Sequence, residues 1–96
     1  MLTLEQVNKL IKYESESVTF YRIPSGREVK KTKRYKPHSD KTYYVIAILG
    51  KQYYIHRIVW LLEMGEYPKS PIDHIDGDTS NNHISNLREV CIFWFS

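Results

Sequence analysis

Ninety-six residues, 42% hydrophobic and 26% charged, with a net charge of +3, read as one small globular domain that buries roughly 60–65% of the surface its unfolded chain exposes. No apolar run approaches the ~18 residues that cross a bilayer, and the opening MLTLEQVNKL is not patterned as a signal peptide. One cysteine, Cys91, excludes an internal disulfide and a cysteine-based zinc finger, and fits a soluble protein of a reducing compartment.

Thr3 to Tyr13 is predicted as a short amphipathic helix. Thr3 and Gln6 form a capping-box pair, and Leu4, Val7, Leu10 and Ile11 recur at helical spacing. Val18 to Ile23 is rich in β-forming residues and runs into a turn at Pro24, Ser25 and Gly26.

The segment 22–41, RIPSGREVKKTKRYKPHSDK, holds eight cations and two acids. Residues 1–60 carry a balance of +7 (twelve Lys/Arg against five Asp/Glu), and residues 61–96 one of −4 (two against six). A basic arm beside an acidic, histidine-bearing half suggests polyanion binding next to a cation site, set against the blander reading of a solvated basic loop. The arm reads as a ribbon or loop with little burial. The candidate DNA contacts are Arg22, Arg27, Lys30, Lys31, Lys33, Arg34, Lys36 and Lys41, with Tyr35, Tyr43 and Tyr44 nearby to stack or pack.

KTYYVIAILGKQYYIH follows, two β-rich runs flanking Gly50-Lys51, where glycine in the first turn position suits a type II′ hairpin. His56 to Met64 switches to a helix, apolar almost all round and therefore expected in the core, with Gly65 as a left-handed stop and Pro68 beyond it. Ile72 begins a short strand leading into IDHIDGDTSNNHISN, which packs three aspartates, two histidines and three asparagines into fifteen residues.

That cluster admits several readings. Asp76-Gly77 and Asn81-Asn82 are good turn formers. An EF-hand loop begun at Asp76 needs glycine at 81 and glutamate at 87, where the chain has Asn81 and Leu87. A zinc site through His74 and His83 lacks a cysteine nearby and a helical i, i+4 pair. The hydrolytic reading fits better. Asp73 and His74 are neighbours, so in a strand they face opposite ways, one toward a hard divalent ion and one toward a water. Phosphodiester cleavage needs such a base and such a cation. Asn86, twelve residues after His74, is placed to bond a backbone carbonyl and clamp the intervening loop.

HRIVWLLEMGEYPKSPIDHIDGDTSNNHISNLREV resembles the HNH endonucleases of phage and homing type, which have the ββα-metal fold. HRIVW, DHIDGD, NN and SNLRE fall in that family's order over residues 56–90, and the likeness extends more weakly to TYYVIAILGKQYYIH upstream. The order of elements, an N-terminal helix, strands with a β-hairpin, a buried central helix and a small strand–loop–strand, is that of an α+β domain, and the resemblance implies that its last part is a ββα-metal-like motif. It implies that Asp73 is a metal ligand for Mg²⁺ or Mn²⁺, His74 the general base and Asn86 the loop-orienting residue. His56 and Arg57 fit the pattern and are read as packing or backbone-contacting, and His83 as structural or solvent-facing. The three parts of the domain are then 1–55 (helix, basic arm, hairpin), 56–90 (HNH-like core) and 91–96 (apolar tail).

In the family the residue about nine after the orienting asparagine supplies the second protein ligand to the metal. Here it is Phe95, within CIFWFS, so the motif is expected to lack most of its final helix. Asp73 or a substitute such as Asp76 or Asp78 would hold the ion weakly, and cleavage is expected to be severely reduced or absent. Ile92, Phe93, Trp94 and Phe95 either cover the surface that helix would occupy or form a contact with a protein partner or a second copy. The resulting expectation is a phage protein of the bacterial cytoplasm that binds double-stranded DNA and no membrane. The alternative is a repurposed, inactive inhibitor of a host enzyme or defence system.

Overall fold

The computed structural model describes residues 2–90. The readings placed on the tail, Ile92 to Phe95, and on the shortened final helix lie outside them.

Helix α1 spans Leu4–Leu10, and the capping box forms in full: the Thr3 hydroxyl accepts from the Gln6 amide, and the Gln6 side chain accepts from that of Thr3. The helix is shorter than the sequence predicts. Ile11–Glu14 leaves it as strand β1 and pairs antiparallel with β2, Thr19–Arg22. The periodic apolar pattern fits a helix through Ile11, but β1 gains a full ladder and the Tyr13–Phe20 cross-strand stack, with ring centroids 5.4 Å apart. Cross-strand pairs of this kind stabilise by about 0.2–1 kcal/mol each.

The basic arm is a ribbon. Strand β3, Thr32–Lys36, is exposed throughout and pairs antiparallel with β4, Lys41–Ile48, which pairs in turn with β5, Lys51–Tyr54. The β4–β5 turn is one residue earlier than predicted. Ile48 faces Lys51, so Leu49 and Gly50 are its central residues, with φ of 51° and 79°. Positive φ at both positions is the type I′ signature, whose twist matches that of the flanking strands, rather than type II′. Burial of Ile46 and Ile48 on one face of β4 holds this register, because a one-residue slip would turn them to solvent.

Helix α2, Ile55–Met64, ends as predicted at Gly65, which has φ of 84° and donates its amide to the Leu61 carbonyl at 2.9 Å. It is not buried all round. Ile55, Ile58, Val59 and Leu61 are buried, while Glu63 and Met64 are exposed. These four join Val7, Ile11, Phe20, Val29, Ile46, Ile48 and Leu87 in the hydrophobic core. Strands β6, Ile72–His74, and β7, Leu87–Glu89, then pair antiparallel with Asp73 opposite Arg88 and His74 opposite Leu87. The chain between them is the polar cluster, closed by a 3₁₀ turn at Ile84–Asn86. The predicted α+β class holds. No helix among the described residues is long and apolar enough to cross a membrane.

Candidate active site

The short strand β6 carries the two residues singled out by their adjacency. His74 turns inward and is 6% exposed, while Asp73 is half-buried on the other face. Nε2 of His74 lies 2.7 Å from Oδ1 of Asn82, itself buried. The Asn82 amide is oriented by its other end, because Nδ2 donates to the Thr79 carbonyl at 3.2 Å, an atom that can only accept. Oδ1 therefore faces the imidazole, so Nε2 carries the proton and Nδ1 the lone pair. Thr79 donates its own hydroxyl to the Thr42 carbonyl. Strand β4, the loop and the imidazole are thus joined by a chain of bonds.

Asn86 closes the same loop, as its spacing predicts. It is buried; its Nδ2 donates to Oδ1 of Asp76 and to the Asn81 carbonyl, both at 2.9 Å, and its Oδ1 accepts from the Asp76 amide at 3.1 Å. Asp76 also accepts from the Asn81 side chain at 3.0 Å and the Asp78 amide at 2.8 Å. Those bonds, led by the one from Asn81, hold its carboxyl below the ordinary carboxylate range. Asp78 accepts from the amide and hydroxyl of Ser80. Both aspartates are therefore engaged in shaping the loop. His83 caps the 3₁₀ turn, its Nδ1 accepting from the Ser85 amide, which is a structural role.

Asp73 meets Arg88 directly across the strands. Nε and an Nη of the guanidinium approach Oδ2 at 3.0 and 2.9 Å. No group of three or more His, Cys, Asp or Glu side chains arranged to hold a metal occurs among the described residues. A carboxylate with one oxygen engaged by arginine fits a site built from one protein oxygen, with waters and phosphate oxygens completing the shell, as Mg²⁺ accepts.

His56 joins the site from the start of α2, and its place there was missed in the sequence. Its ring meets that of His74 edge-on with centroids 5.3 Å apart and stacks on Tyr54 at 5.4 Å. Burial, then the proximity of His74, Arg57 and Lys36, pushes its pKa down to about 4, so it is neutral at pH 7. Tyr43 completes the aromatic wall, 5.7 Å from His56 and 6.3 Å from His74. Asn82 and His56 read in sequence as turn and packing residues, and Arg88 only as part of the SNLRE motif. The duplicated Asn81-Asn82 was the one local signal for the first of them.

The candidate DNA-contacting cations do not form one surface. Strand alternation puts Arg34, Lys36 and Lys41 on the face of Tyr43, and Lys33 on the opposite face with Tyr44. Arg22 reaches the Ala47 carbonyl at 3.4 Å, and Arg27, Lys30 and Lys31 are exposed in the connection between β2 and β3. Tyr35 donates its hydroxyl to Asp40 at 2.7 Å, which raises its pKa, and Tyr44 packs on the core.

Residues 53–91 match the family model described as HNH endonuclease. The fold is similar to that in a solved structure described as DNA binding and cleavage by the HNH homing endonuclease I-HmuI, with a TM-score of 0.65 and 23% sequence identity. That match takes in 98% of this chain and 53% of the other, so the chain spans about half the length of that protein. No curated protein matches the sequence. The matched segment runs from β5 through the β6–β7 pair, so over that part the chain is similar to the HNH endonucleases, and its fold is that of the solved HNH homing endonuclease.

Proposed function

We propose that this chain is a DNA-binding module of nuclease type in which His74 acts as the general base toward a phosphodiester. The bond between Asn82 and Nε2 of His74 carries the reading, because it reserves the lone pair of Nδ1 for a water. That water would lose its proton to Nδ1 as its oxygen attacks phosphorus; the bond from phosphorus to the leaving sugar oxygen breaks, and that oxygen takes up a proton. Asp73 is the residue to hold a divalent ion, which would supply charge stabilisation at the phosphate. Asn86 acts one step removed, by keeping the loop that carries Asn82 closed under His74. Exposed cations on the Tyr43 face of β3 and β4, Arg34, Lys36 and Lys41, contact the phosphate backbone, in keeping with the DNA binding described for the homing endonuclease of similar fold.

Cleavage is reduced in this reading. Phe95 stands where the family carries a second ligand, and Arg88 competes for the oxygen of Asp73. Loss of even an outer-shell partner costs about 10–100-fold in metal affinity or activity. Incubation of the pure protein with supercoiled plasmid in Mg²⁺, Mn²⁺ or EDTA, beside His74→Ala, tests it. Slow metal-dependent nicking lost in the variant is the expected outcome. Wild-type nicking unchanged by His74→Ala would remove His74 from the role. Failure to bind duplex DNA at low salt would overturn the reading and favour a protein partner.

A further inference from the structure

Beside the His74 site lies an open cleft of about 450 Å³, in the size range of small-ligand sites, about 300–1,000 Å³. Tyr43, Tyr54 and His56 form its aromatic wall, and Lys36, Arg57 and Lys69 its cations; no carboxylate lines it among the described residues. Lys69 is paired with Glu66 at 3.8 Å, whereas Lys36 and Arg57 are in no ion pair among the described residues. Both are steadied by rings instead. Lys36 Nζ sits 4.4 Å from the centroid of Tyr54 and 5.5 Å from that of Tyr43, and the Arg57 guanidinium lies 5.6 Å from the centroid of Tyr67. A cation over an aromatic face keeps its full charge and loses some of its freedom, which favours capture of an anion from solution.

We propose that this cleft is a subsite for one backbone phosphate of a nucleic acid strand, held jointly by Lys36 and Arg57, next to the phosphodiester presented to His74. The inference rests on the DNA-binding reading above and deepens it. A shared ring links the two places: His56 stacks on Tyr54, the ring under Lys36, and meets His74 edge-on. His56 is neutral at pH 7, which leaves Lys36 and Arg57 as the charges for the anion. Contacts of this sort carry no sequence information and fix the register of the strand, so the subsite aligns the neighbouring linkage with the imidazole.

The test is duplex DNA affinity over a salt series in EDTA, so that no cleavage intervenes, for wild type, Lys36→Ala, Arg57→Ala, the double variant and Lys12→Ala as an exposed control on β1. Each phosphate neutralised contributes about 0.9 to the log–log salt slope on B-DNA. Each single variant should weaken binding, and the double variant should flatten the slope by about 0.9, the value for one shared phosphate. Flattening of about 1.8 would mean two separate phosphates and overturn the subsite. Either single variant behaving like Lys12→Ala, with wild type still binding, would overturn it too and leave the DNA-binding reading standing. A wild type that does not bind DNA would sink both. Thermal unfolding of each variant guards against misfolding, and Arg57→Lys, which keeps the charge, should retain most of the slope.

Discussion

Asn82 and His74, eight residues apart and both buried, meet at 2.7 Å between Oδ1 and Nε2. One amide thus sets which nitrogen of the imidazole is free. Asn82→Ala would leave a buried ring N–H without its partner, at a cost of about 1–3 kcal/mol. Urea denaturation should show that loss. Any His74-dependent nicking should fall by about 10–100-fold, the usual effect of an outer-shell partner. An Asn82→Ala protein as stable as wild type would mean that the bond contributes nothing in solution.

Stability should fall in mild acid because of His56. Its folded pKa of about 4 lies below the 6.5 of an unperturbed imidazole, so the unfolded chain binds the proton more readily. The contribution is complete above pH 6.5 and is lost as the pH drops through about 6.5 toward 4. At ~1.4 kcal/mol per unit it amounts to up to about 3 kcal/mol. Asp76, whose pKa is depressed, adds a further loss only as the pH falls below the ordinary carboxylate value of 3.8. Urea midpoints at pH 7.5 and 4.5 measure the effect, and His56→Phe, which keeps a ring against Tyr54, should flatten the pH dependence between them.

The Asp73–Arg88 pair should matter little for stability and more for cations. Its side chains are 38% and 63% exposed, and pairs so open to solvent contribute about 0–1 kcal/mol. Arg88→Gln should therefore shift the thermal midpoint by only a few degrees. By releasing Oδ2 of Asp73 it should tighten Mn²⁺ binding several-fold, read by calorimetry; weaker binding would show that Arg88 supports the site. Asp73→Asn should abolish whatever binding the wild type shows.

At the tip of the β4–β5 hairpin, Leu49 is 71% exposed and has φ of 51°. A leucine there is strained by roughly 1–2 kcal/mol and gains little from burial. Leu49→Asn keeps the type I′ turn with a residue that tolerates the left-handed region. It should raise stability by about 0.5–1 kcal/mol in chemical denaturation, and a loss would show that the turn is not of this type.

Local chemistry was legible in the residues themselves. The Thr3–Gln6 cap, the Gly65 stop, the β-rich runs and the HNH-like order of DHIDGD, NN and SNLRE depend on neighbours close in the chain, and each sits where its spacing placed it. Asn86 closes its loop through bonds to Asp76 and to the Asn81 carbonyl, partners ten and five residues before it in the chain. The end of α1 and the hairpin turn were not legible to the residue. Ile11 satisfies a helical period as well as a strand, and Gly50 suits either turn position; pairing with β2 and burial of Ile46 and Ile48 decided between them.

The site divides along the same line. Sequence alone determined that Asp73 and His74 face apart on a strand, because alternation is a property of the extended backbone. Tertiary structure alone decided what each one meets. The partner of Asp73 comes from β7, that of His74 from the loop, and the neutral imidazole beside it from α2. Such contacts join residues far apart in the chain, and they exist only once the strands are in register and the helix is packed against them.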